Sequence, residues 1–210
     1  MTTRLSLLFP ACALVAGLFA GAPPAAFSQG ATAPLLLTAA RVSIAGTSNI
    51  HEFTASTTDV KLTRLALAPG VAGPDLLNAA VKPGSLDEFE IIVKAGTLTS
   101  PKEGLDKNMW KALKTTLFPD IVFRMTRLDG QPGALRAIGV LTIAGVAKDV
   151  TLNLSAAANA STITVIGEVP LLMTDYGITP PKAMLGMLKT DPNITVTFEV
   201  VLAAPQTLTR

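Results

Sequence analysis

His51 is the only histidine in this chain of 210 residues, and it stands beside Glu52. An imidazole there could donate a hydrogen bond to a head group or act as a pH-sensitive latch; the plainer reading is a turn histidine tied to backbone. Asp175 beside Tyr176 could be drawn as an acid–base pair, yet adjacent strand residues point to opposite faces. With no second histidine and Cys12 as the only cysteine, a transition-metal site would need carboxylates brought in from elsewhere, and we expect none. The chain has no Gly-x-Ser-x-Gly elbow, no His-Glu-x-x-His pair and no glycine-rich phosphate loop. No catalytic residue is nominated, so neither an enzyme nor a cofactor is expected.

Composition narrows the field further. A formal charge of +2 with 15% charged residues offers no basic stripe for nucleic acid and no acidic tail. Met1 to Arg4 form a short basic start, Leu5 to Ala22 an apolar stretch, and small residues precede Gln29 at Ala26-Phe27-Ser28. This predicts a signal peptide over 1–28, cleaved after Ser28, and a periplasmic or secreted protein. A retained N-terminal anchor is the competing reading, disfavoured by Pro10 and Gly17 within the stretch. Cleavage removes Cys12 and leaves a chain with no thiol, which excludes disulfides and a cysteine nucleophile. Residues 29–34 read as a short flexible segment, and 35–210 as one domain.

The elements that must position any site are mostly strands. Ile194, Val196, Phe198, Val200 and Leu202 alternate with Thr195, Thr197 and Glu199, the mark of a half-buried antiparallel strand. The same period runs through Phe89, Ile91 and Val93; Ile121, Phe123 and Met125; Val150, Leu152 and Leu154; and Ile163, Val165 and Val169. Strands are expected near 35–47, 53–67, 85–98, 120–129, 134–144, 148–157, 161–173 and 193–203. Eight strands can close a barrel that removes exposed edges and encloses one small ligand; a two-sheet sandwich shares the alternation. Gly145 predicts a tight reversal at positive φ, and Asn159, tolerant of positive φ, another. Two inserts interrupt the strands. Leu105 to Leu117 has apolar residues at helical spacing, and Pro180 to Lys189 has Pro181 suited to a helix start.

Four strings then occur in order: GTSNIHEF at 46–53, LDKNMWKALKTTLFPDIVFR at 105–124, GVLTIAGVAKDVTL at 139–152 and MTDYGITPPKAMLGMLKTDPNITVTFEV at 173–200. Together they resemble the YceI-like (polyisoprenoid-binding, lipocalin-like) family. Phe118-Pro119-Asp120-Ile121-Val122-Phe123 and Gly139 to Lys148 match its segments residue by residue, and Phe53 stands where many members have Trp. The resemblance implies an all-β fold with small helical inserts, an eight-stranded antiparallel lipocalin-like barrel. It also implies a long-chain apolar ligand in the interior, such as a polyisoprenoid, an isoprenoid quinone or a related lipid.

Met109, Trp110, Phe118, Tyr176, Met184 and Met187, in or beside the inserts, suit a pocket for a flexible chain, because methionine repacks readily and Trp and Tyr each offer one polar atom. They equally suit a filled core. Leu113, Phe123 and Phe198 join them as lining candidates, with Phe53 and His51 near the early turn. Lys107, Lys111 and Lys114 could attract an anionic head group or membrane surface, but with Asp106 nearby a solvated helix face is the leading reading. The leading expectation is a lipid carrier with no transmembrane span after cleavage; a homodimer stays open. The alternative is an envelope interaction module whose barrel is closed by its own core. A transmembrane barrel is disfavoured by an aromatic content of 5%.

Overall fold

Alternation of apolar and polar side chains makes one face of each strand oily, and such faces are buried only when the sheet wraps around them. The computed structural model describes residues 34–101, 103–131, 133–183 and 187–205. The expected leader over 1–28 and Met184 lie outside them.

Strands β1 (Leu36–Ser48), β2 (Glu52–Thr57) and β3 (Val60–Leu67) lead through helix α1 (Leu76–Ala80) to β4 (Leu86–Lys94) and helix α2 (Glu103–Leu113). Then follow β5 (Asp120–Gln131), β6 (Ala134–Ile143), β7 (Val146–Ala158), β8 (Thr162–Leu172), β9 (Lys182–Ala183) and β10 (Leu188–Ala203). Every ladder is antiparallel, in the order β2-β1-β10-β8-β7-β6-β5-β4-β3, with β9 pairing only with β10. The sheet thus curls until its two end strands, β2 and β3, are consecutive in the chain.

The single strand expected over 53–67 is therefore two. Thr57 Oγ1 accepts the Asp59 N–H at 3.0 Å, and the Val60 N–H reaches back to the Thr58 carbonyl at 2.9 Å. This tight bend sends β2 to pair with β1 and β3 to pair with β4. At the seam between these two end strands no ladder forms among the described residues; β2 is tied instead to the segment that follows β4, where Ser56 and Thr99 exchange two backbone hydrogen bonds of 2.8 and 3.0 Å. Beside it Val42, Val60 and Val93 of β1, β3 and β4 share one buried cluster.

The helix expected over 105–117 stops at Leu113. Lys114 takes a φ of 53°, its N–H bonds the Lys111 carbonyl, and the Thr115 N–H reaches the Trp110 carbonyl. This is a left-handed cap that satisfies the last carbonyls of the helix, with lysine in the place usually given to glycine. Pro119 then starts the run into β5.

Over 180–189 the described residues form the short hairpin arm β9 and the start of β10 rather than the expected helix. The Asn49 side chain donates to the Met187 carbonyl and accepts from the Lys189 N–H, both at 2.8 Å. The Thr190 N–H bonds the Pro181 carbonyl. Partners far along the chain take the backbone groups that a helix would have used internally.

The two turns expected from glycine and asparagine both occur. Ala144 and Gly145 have φ of 50° and 81°, the two-residue turn whose twist matches its strands. Asn159 has no positive φ; its side-chain oxygen instead accepts the Ser161 and Thr162 N–H groups. Helix α1, which no periodicity announced, packs Ala80 against Leu35, Ile163, Val200 and Leu202 at one end of the curled sheet. At the other end Leu113 of α2 packs with Leu171, Tyr176 and Ile178. The core is the space between.

Candidate functional site

Inward-facing residues of every strand from β4 to β8, and of β1 and β10, surround a cavity of about 180 Å³. Ile121, Phe123 and Met125 of β5 line it at alternate positions, as do Ile194, Val196 and Phe198 of β10. Strand β5 would lose this parity beyond Met125 but for a bulge between Met125 and Arg127, after which Leu128 again faces inward. The bulge lies against Gly139, where a Cβ would come within 2.3 Å of the Arg124 carbonyl oxygen. A second glycine shapes the lumen. Phe198 lies across from Gly167 in the ladder, and its ring occupies the space a Cβ there would need, 2.4 Å away. α1 supplies Ala80 to one end of the cavity, and α2 supplies Leu113 to the other.

Charge is kept off this lining: no Asp, Glu, Lys, Arg or His among the described residues contributes to it. The alternation of β4 puts Glu90 outside, where Arg124 from β5 closes on it at 2.6 Å, Thr63 donates to it at 2.9 Å and Arg64 lies 3.8 Å away. The hydrogen bonds from Arg124 and then Thr63 outweigh burial and hold the Glu90 carboxyl below the usual carboxylate range. Lys94 and Asp120, direct cross-strand partners, pair at 2.6 Å. Among the described residues of the cavity wall Tyr176 alone bears a hydroxyl; burial, and then the neighbouring Asp175, push its pKa up.

Of the residues singled out from sequence, Leu113, Phe123, Tyr176 and Phe198 line the cavity. Met109 packs against the same core from α2 without reaching the lining. Trp110 donates its indole N–H to the Leu98 carbonyl at 2.8 Å, so its polar atom ties helix to sheet. The Phe118 ring covers Gly145 at the rim, and Phe53 covers Gly46 across β1 and β2. Met187 is 65% exposed. His51 is also exposed: its carbonyl accepts the Ser48 N–H and hydroxyl, and its N–H donates to the Ser48 hydroxyl. These last four stand outside the lining. Lys107, Lys111 and Lys114 are solvated.

Aromatic and methionine side chains beside the inserts drew attention because of their size, whereas most of the wall is aliphatic, from Leu135 and Leu152 to Val169 and Val200. The signal that finds these is the strand alternation itself. Among the described residues no three His, Cys, Asp or Glu side chains gather as a metal site would require, and no helix is long and apolar enough to cross a membrane.

The family model described as YceI-like domain matches residues 41–202. No curated protein matches the chain significantly. Among solved structures, BcnA from Burkholderia cenocepacia superposes with a TM-score of 0.62 at 13% identity, over 77% of this chain and 95% of that one. A polyisoprenoid binding domain from Saccharophagus degradans, implicated in plant cell wall breakdown, gives 0.59 at 14% identity over 83% and 100%. The YCEI protein of Campylobacter jejuni gives 0.53 at 16% over 71% and 82%. At these identities the likeness is one of fold.

Proposed function

Since the chain belongs to the YceI-like family, we propose that it is a carrier that holds the apolar chain of a lipid inside its curled sheet. The cavity bounded by strands and both helices, whose described lining residues are all apolar but for Tyr176, is the observation that carries this reading. Burial of hydrocarbon gains about 25 cal/mol per Å², and a wall without charges asks no ionic price of the guest. The likeness in fold to a polyisoprenoid binding domain favours a polyisoprenoid, an isoprenoid quinone or a related lipid.

A void of about 180 Å³ is of the order of the engineered cavity of about 150 Å³ that takes up benzene, so a long chain must enter by repacking the wall. Met125 and Met173, both on the lining, are the side chains best able to move aside. We place the protein in the periplasm or outside the cell, delivered by the cleaved leader over 1–28, with the sheet closed as a barrel around its guest and no reaction performed on it. Peptide sequencing of exported protein beginning at Gln29 is the check on delivery.

Ala137→Phe tests the carrier reading. Ala137 is 4% exposed and lines the cavity, so a phenyl ring there fills it. Displacement of a fluorescent lipid probe and native mass spectrometry of protein from a bacterial periplasm are the measurements. Wild type is expected to hold lipid and the variant to lose affinity at least tenfold. Equal binding by both, or wild type that neither co-purifies with lipid nor takes up the probe, defeats the proposal and leaves the self-filled interaction module.

A further inference from the structure

The carrier reading leaves open what kind of head group the lipid bears, and Tyr176 bears on that question. Tyr176 is the chain's single tyrosine. It ends the 3₁₀ turn Met173–Tyr176 after β8, with Gly177 turning the chain at a φ of 64°, and its side chain comes to lie in the cavity wall, 3% exposed. Its hydroxyl makes no hydrogen bond with any described residue. No side-chain oxygen or nitrogen among the described residues is both sealed from open space and unbonded. An unbonded hydroxyl on so buried a residue therefore keeps contact with open space, and the space that Tyr176 lines is the cavity. A hydroxyl facing an apolar cavity has no protein partner to replace water when a guest fills that space, so a guest that supplies one gains from it.

Two further observations limit what that guest can be. Among the described residues the wall holds no cation, so a phosphate or carboxylate drawn inside would be desolvated without a counter-ion there, at a cost far above that of a neutral oxygen. The charged group adjacent in the chain, Asp175, is exposed and of the wrong sign to attract an anion. A phenol is protonated at neutral pH, and burial only raises its pKa further, so it can donate to a carbonyl or accept from an alcohol.

Resting on the carrier reading, we propose that Tyr176 is the head-group anchor and that the ligand is an uncharged lipid ending in a single hydroxyl or carbonyl oxygen. The head then lies at the α2 end, beside Leu113 and Ile178, and the tail runs toward Ala80 and Leu35 at the α1 end.

Geranylgeraniol, the corresponding hydrocarbon and geranylgeranyl diphosphate, each competed against a fluorescent lipid probe on the full exported protein, test this together with Tyr176→Phe. Wild type should prefer the alcohol to the diphosphate by a hundredfold or more. The phenylalanine variant should lose about tenfold for the alcohol, the size of one buried hydrogen bond, and nothing for the hydrocarbon. NMR of the single carbon-labelled phenol ring should shift its hydroxyl-bearing carbon with the alcohol and not with the hydrocarbon. If alcohol and hydrocarbon both bind but Tyr176→Phe leaves their ratio unchanged, or the diphosphate binds as tightly as the alcohol, the anchor is wrong while the carrier stands. If none of the three binds, both fall.

Discussion

Glu90 lies on the outer side of β4 under two guanidinium groups and a hydroxyl, and its carboxyl is held below its ordinary value of 4.5. A depressed native pKa means that the folded state resists protonation more than the unfolded one does. Its contribution is therefore complete above the ordinary carboxylate range and fades as pH falls below 4.5 through the lowered value. Glu90→Gln is expected to cost about 1–3 kcal/mol at pH 7, toward the lower end because both arginines are more than half exposed. Thermal unfolding of the two proteins should converge as the pH is taken below that range; a gap that persists in acid would contradict the assignment. At the early turn, the Ser48 hydroxyl bonds the Ile50 and His51 N–H groups and the His51 carbonyl. His51 takes part through its backbone. His51→Ala should thus stay within about 0.5 kcal/mol of wild type in denaturant unfolding, while Ser48→Ala loses about 1 kcal/mol.

Turns between strands hold their form for reasons that differ from one to the next. Between β6 and β7, Gly145 combines a φ of 81° with the ring of Phe118, which lies 2.5 Å from where a Cβ would sit. Gly145→Ala is expected to cost about 1–3 kcal/mol, from the left-handed backbone and the clash together. Adding Phe118→Ala should recover the steric part and leave the backbone part, a non-additivity that a double-mutant cycle reads directly. Simple addition of the two single effects would show that the ring is not what fills that space. Gly145 was legible in the sequence as a turn because left-handed backbone is a local demand. Its aromatic cover, 27 positions earlier in the chain at Phe118, was not. Helix α1 went unannounced because five residues, Leu76–Ala80, are too few to display a period, and their helical state is owed to packing on the open end of the sheet.

Across the whole molecule the seam is the weak line. β3 has a ladder with β4 alone and β2 with β1 alone, whereas β6 and β7 are each flanked on both sides. Side chains of Val42, Val60 and Val93 form one buried cluster beside the seam, but among the described residues no backbone ladder joins β2 to β3. Amides of β3 that point away from β4 should exchange with deuterium well before those of β6 and β7. Protection as high in β3 as in β6 would mean a complete ladder there and would overturn this description. A seam of this kind is also the part of the wall best able to yield when a long guest enters.

Which side chains face inward was decided largely by the sequence alone, since the parity of a strand is a property of its own backbone; the inward sets of β8, of β10 and of β5 as far as Met125 follow directly from alternation, whereas Leu128 faces inward only because of the bulge. Sequence also settled the turn at Gly145 and the family to which the four ordered strings belong. Tertiary structure decided what encloses free volume. Pairing β10 with β8 brings Phe198 over Gly167, Asn49 holds Lys189, about 140 positions away, where β9 can pair with β10, and curling of the sheet places Tyr176 in an oily wall. Such pairings depend on distances between strands remote in the chain, and neither period nor propensity carries that information.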